Sequence, residues 1–87
     1  MPTTTDELIA EITGIVADEL SIPASSLSAD GDLRALEGAD SVKMLRVIAR
    51  IERIHDVELE DEDVFGTSTI REVAGLVHAG LTGAEAA

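Results

Sequence analysis

An aspartate followed by a serine, Asp40-Ser41, stands directly before an apolar-periodic run, and this pair is the part of the sequence best suited to chemistry. Aspartate is a favoured helix N-cap, because its carboxylate accepts a hydrogen bond from the free backbone N–H groups of the first turn. Ser41 then occupies the first helical position, with its hydroxyl beside unpaired N–H groups and the positive end of the helix dipole. A phosphate esterified there gains about 0.3–1 kcal/mol per exposed charge. A bare Asp-Ser also serves as an ordinary cap, so its surroundings must decide. Competing chemistry is sparse. There is no Gly-rich phosphate loop and no nucleophile elbow, and the absence of cysteine removes disulfides and Cys-type zinc sites. Residues 56–63 hold six acidic side chains but lack the turn glycine and closing glutamate of a calcium loop, and they read as a solvated acidic loop. His55 and His78 lie too far apart in sequence to suggest a metal site. His55 reads as a partly buried neutral imidazole or a solvent-facing ring ahead of any catalytic role, and His78 as a charge suited to the end of the last helix. No catalytic residue and no metal ligand is expected.

The elements around the pair follow from periodicity. Leu8, Ile9, Ile12, Ile15, Val16 and Leu20 recur at helical spacing over 4–20, with Thr4 and Glu7 as a capping box at the start. Pro23, Ser25-Ser26 and Asp30-Gly31-Asp32 break that pattern and give a long connection to about residue 39, for which Leu27, Leu33 and Leu36 are the expected anchors. The second helix is expected from Asp40 to about His55, with Val42, Leu45, Ile48, Ala49 and Ile51 inward. The acidic loop leads through Val64-Phe65-Gly66 into one or two short turns. Thr69 and Glu72 form a second capping box for a last helix over 69–79, with Ile70, Val73, Ala74 and Val77 inward. The Ala/Gly-rich stretch from Gly80 is expected to fray. The expectation is all-α: a small four-helix bundle of three main helices and one short one, with a long loop between helices one and two. It makes a single domain over 1–87 with its core in 4–79.

Size and charge restrict the function. A chain of 87 residues buries roughly 60–65% of the surface its unfolded form exposes, which leaves little room for an enclosed active site. A formal net charge of -12 repels nucleic acid and anionic lipid and favours a soluble monomer. The start, Met-Pro-Thr-Thr-Thr-Asp-Glu, has no basic region or apolar stretch of a signal peptide, and no run is long enough to span a membrane. A cytoplasmic location is expected. The charge is also uneven. Lys43, Arg46, Arg50 and Arg53 fall within an arc of about 80° on the second helix. Against them residues 43–53 offer only Glu52, so that segment carries +3 and the remainder -15 of the total -12. The stripe is either a solvated face neutralised by nearby acids such as those at 56–63, or a docking face for partners with acidic or mixed surfaces.

The string Leu36-Glu37-Gly38-Ala39-Asp40-Ser41-Val42, followed by Leu45, Ile48 and Ile51, resembles the prosthetic-group site of acyl carrier proteins, where a Gly-Ala-Asp-Ser-Leu string opens the second of four helices. The resemblance extends to the chain's length, acidity and long first loop, to Asp56-Val57-Glu58-Leu59, and to Thr69-Ile70-Arg71-Glu72-Val73. It implies 4′-phosphopantetheine on Ser41, transferred from coenzyme A by a phosphopantetheinyl transferase, with Asp40 supporting the site and Val42, usually Leu in this family, keeping an apolar contact beside the arm. It also implies a carrier rather than an enzyme, one that meets acyl-loading and acyl-processing partners such as a ligase, acyltransferase or ketosynthase. The family's fatty-acid carriers have an acidic second helix, so the basic stripe points to a dedicated polyketide or hybrid pathway. A fatty-acid carrier, an aminoacyl or peptidyl carrier, and an unmodified acidic interaction domain are the alternatives.

Overall fold

In the computed structural model, which describes residues 4–36 and 38–82, four helices follow in chain order: α1 (Thr5–Leu20), α2 (Ser41–His55), α3 (Asp61–Phe65) and α4 (Ile70–Thr82). No strand occurs among the described residues. The expected helix starts are the observed ones. Thr4 caps α1 through a complete box, its hydroxyl accepting from Glu7 N–H and Glu7 Oε1 accepting from Thr4 N–H at 3.0 Å. Thr69 and Glu72 repeat that reciprocity at the start of α4. The end of α4 differs from expectation: the helix runs on to Thr82 rather than stopping near 79, because Gly80 costs a helix only about 1 kcal/mol relative to alanine. His78 therefore stands a turn inside α4 rather than at its end. Of the stretch expected to fray, residues 83–87 lie outside the described residues.

α1 is the central strut, packing against both α2 and α4. It buries Leu8, Ile12, Ile15, Val16 and Leu20, which meet Val47, Ile48 and Ile51 of α2 and Ile70, Val73, Ala74 and Val77 of α4. The inward face of α2 is thus rotated from the expected one. Ile48 and Ile51 are inside as expected, but Val42 is 66% exposed, Leu45 and Ala49 also face solvent, and Val47 is buried in their place. Two apolar rows compete on this helix. Val42 and Ala49 share their row with Arg46 and Arg53, and burying it would have desolvated two guanidinium groups, so the core takes the row of Val47 and Ile51.

The connection over 21–40 contains two single 3-10 turns, Ala24–Ser26 and Leu33–Ala35. Leu33 is buried, and Leu27 and Leu36 pack half-buried against the core, as their type and spacing suggested. The connection is laced to the start of α4 by backbone bonds, Leu33 N–H to Ser68 O at 2.8 Å and Arg71 N–H to Ala29 O at 3.0 Å. The Arg71 guanidinium adds a two-pronged grip on Asp30 at 2.7 and 3.2 Å. That hydrogen-bonded cation holds the Asp30 carboxyl below the usual carboxylate range. With a folded pKa below the unfolded value of about 3.9, the contribution of the pair is complete above that value and is lost as pH falls through the lower folded one. We predict that in urea unfolding the advantage of the parent chain over Asp30→Asn is constant from neutral pH down to about pH 4 and shrinks below it.

Candidate functional site

The chain reaches α2 through a tight turn. Gly38 has φ +84°, a left-handed conformation that side-chain-bearing residues rarely adopt, and Ala39 N–H bonds Leu36 O at 3.2 Å. Nothing lies within 4 Å of where a Cβ on Gly38 would sit, so it is the backbone angle that requires glycine there. Leu36 and Ala39 pack against the core and fix the turn from both sides. Asp40 follows in extended conformation, φ -110° and ψ 173°, with its carboxylate accepting from Lys43 N–H at 2.8 Å and its carbonyl from Met44 N–H at 3.0 Å. Asp40 is therefore the N-cap and Ser41 the first helical residue, as the sequence indicates. The Ser41 side chain is exposed, and its hydroxyl has no protein partner among the described residues. The N–H groups of Ser41 and Val42, too early in the helix for an intrahelical acceptor, lie beside it.

Ser41 and Asp40 border a cavity of about 220 Å³ between the 3-10 turn at Leu33–Ala35, α2 and α3. Buried Leu33, Ile48 and Val73 form its deep part, Met44 and Val64 are half-buried along it, and Leu45 and Phe65 stand exposed at its outer edge. Leu45, expected in the core, thus serves as part of the cavity's rim. Arg34 and Thr67 also line it. The sequence reading missed Arg34, which sits in the long connection where no periodicity marks direction, and it missed Phe65, the only aromatic. Its 59% exposure is unusual for a residue of that size.

The structure does not bring the other expected site residues into this cavity. Val42 points from the outer face of α2 rather than along it. The basic stripe is divided. Arg46 Nε bonds Glu19 Oε1 at 3.0 Å, and Arg50 Nη1 bonds Asp18 Oδ2 at 2.8 Å and Glu19 Oε2 at 3.1 Å. The Asp18 carboxylate first and Glu19 second push the Arg50 pKa up. Neutralisation thus comes from the last turn of α1 and not from the acids at 56–63. Lys43 and Arg53 have no acidic partner among the described residues. Glu19 is the pivot, since its side chain is only 11% exposed while that of Arg46 is 68% exposed. His55, at the end of α2, is half-buried and pairs through Nε2 with Glu11 of α1, away from the cavity.

The family described as "Phosphopantetheine attachment site" matches residues 10–77. An acyl carrier protein of Prochlorococcus marinus (strain MIT 9515) is 24% identical over 74 residues, covering 85% of this chain and 92% of its own length. Removing the cap tests how the site is built: Asp40→Ala is expected to lose about 1 kcal/mol in urea unfolding. The Lys43 amide should exchange faster with solvent while the amides around Ile51 stay protected.

Proposed function

Because the chain belongs to the phosphopantetheine-attachment carrier family, we propose that Ser41 is the serine that carries its 4′-phosphopantetheine arm. The chain is a carrier, not an enzyme. When bound, the arm supplies a terminal thiol that holds an acyl group as a thioester. The residues present suit such a group. The observation that carries the assignment is the exposed, unpartnered Ser41 hydroxyl on the first turn of a 15-residue helix, at the edge of a cavity with an apolar interior. Anionic phosphate is favoured at that position by the free N–H groups and the dipole. Asp40 holds the first turn in place through the Lys43 amide. The cavity interior, formed by Leu33, Ile48 and Val73, offers apolar shelter to an acyl chain.

For the wider role we infer a carrier of a dedicated polyketide or hybrid pathway in the cytoplasm, met by a phosphopantetheinyl transferase and by acyl-loading and acyl-processing enzymes. Support comes from the outer face of α2, where exposed Val42, Leu45 and Ala49 lie among basic rather than acidic side chains. Two of those bases are already paired, so the charge available to a partner is concentrated at Lys43 and Arg53, near either end of the helix. A complementary partner face is apolar at its centre and acidic opposite those two positions. The alternatives are a fatty-acid or aminoacyl carrier and, from another class, an unmodified interaction domain.

Incubation with coenzyme A and a broad-specificity phosphopantetheinyl transferase should add the mass of one arm to the chain and none to Ser41→Ala; an unmodified parent chain would reject the assignment. Partner recognition has a separate readout. Lys43→Glu with Arg53→Glu should raise the KM of the native transferase for this carrier about fivefold at low salt, on the order of 1 kcal/mol for two exposed pairs, with the difference closing at high salt. The pair Arg46→Glu with Arg50→Glu should instead lower stability, through repulsion from Asp18 and Glu19. Equal effects of the two double variants on KM would overturn this division of labour.

A further inference from the structure

Among the described residues, one cation lines the cavity without a counter-charge. Arg46, Arg50 and Arg71 each meet a carboxylate. Among the described residues Arg34 meets only carbonyls: its Nη2 donates to Phe65 O at 2.8 Å and to Thr67 O at 3.4 Å. Those two bonds steer the guanidinium and cap the end of α3, but neutral carbonyls leave its charge intact. A guanidinium has five N–H donors in a rigid fork, and no protein acceptor among the described residues takes the Nε–H or the Nη1 hydrogens of Arg34. The nearest carboxylate in sequence, Asp32, is spent on the Arg34 backbone N–H at 2.9 Å. The root of the side chain is fixed as well, because neighbouring Leu33 is buried and its N–H bonds Ser68 O. In a chain of net charge -12 with only six basic residues, a held guanidinium that lines the same cavity as Ser41 and has no carboxylate partner among the described residues is a site prepared for an anion.

We propose that Arg34 is the cation of an anion subsite occupied by the phosphodiester on Ser41, an assignment that rests on Ser41 being the modified serine. The anion is then met from two directions: by the free N–H groups at the start of α2 and by the Arg34 fork from the connection. Anchored so, the phosphodiester fixes the direction in which the arm leaves the protein, along the cavity between Met44 and Phe65. Arg34 is a positioning residue for the arm, and it takes no part in any bond made or broken.

The test compares apo and holo chains carrying a free thiol, with loading confirmed by mass, so that the phosphodiester is the only charge added. In arginine Nε–H spectra the Arg34 resonance should move on loading while those of Arg53 and Arg71 stay in place. The rise in Tm from apo to holo should persist in Arg34→Lys and be lost in Arg34→Gln. Each variant is referred to its own apo form, which cancels the cost of losing the bonds to Phe65 and Thr67. A chain that loads with its Arg34 resonance unmoved, or with the same Tm increment in Arg34→Gln as in the parent, overturns the subsite alone. A chain that does not load overturns the Ser41 assignment and the subsite with it.

Discussion

The lacing of the 21–40 connection to the start of α4 is the constraint from which the site follows. A stretch of that length has a large conformational freedom to lose, and buried Leu33 could not hold it alone. Two backbone bonds, Leu33 to Ser68 and Arg71 to Ala29, fasten it at separate points, and the Asp30–Arg71 grip closes the span between them. Gly38 then turns the chain inward, and Ala39 seats it on the core before α2 begins. The position of Ser41 relative to α3 and α4 is therefore set by contacts made at Asp30 and Leu33. The cavity lies where the connection, α2, α3 and α4 meet over Leu33, Ile48 and Val73.

Charge is distributed with the same economy. Eighteen acids against six bases make uniform self-repulsion unavoidable, and four of the six bases are placed where they join elements. Arg46 and Arg50 tie α2 to the end of α1, Arg71 ties α4 to the connection, and Arg34 ties the connection to the end of α3. Exposed pairs of this kind each contribute little, but here each spans a junction between two elements of the fold. Glu52 makes the corresponding link from the acidic side, accepting from Leu59 N–H at 2.8 Å and holding the chain after α2 in place. The left-handed residues Ser21 and Asp56 that end α1 and α2 bond back to Ala17 and Glu52, so neither helix needs glycine to stop.

What was legible in the sequence was what is decided locally. Thr4 with Glu7, Asp40, and Thr69 with Glu72 act within one turn, and all three marked helix starts correctly. The leucines of the connection were legible too, being apolar residues in a polar stretch. The facing of α2 was not: Val42, Leu45 and Ala49 compete with Val47 and Ile51 at the same period, and only the neighbouring arginines distinguish the rows. Arg34, Asp18 and Glu19 could not be read at all, because their roles depend on partners more than twenty residues away. At the site, the serine and its cap were visible, whereas the groups that shape its electrostatics were not.

The Glu19 clamp gives α2 a property that its own sequence does not contain. The net charge that this helix shows to the outside is decided by two carboxylates at the end of α1, so the surface unit is the α1–α2 pair and not the helix alone. Grafting residues 41–55 onto another carrier would transplant four bases without the acids that quiet two of them, and the chimera would present a more basic face than its donor. Conversely, drift at positions 18 and 19, outside any contact with the arm, would alter which surfaces this protein attracts while every residue around Ser41 stayed the same.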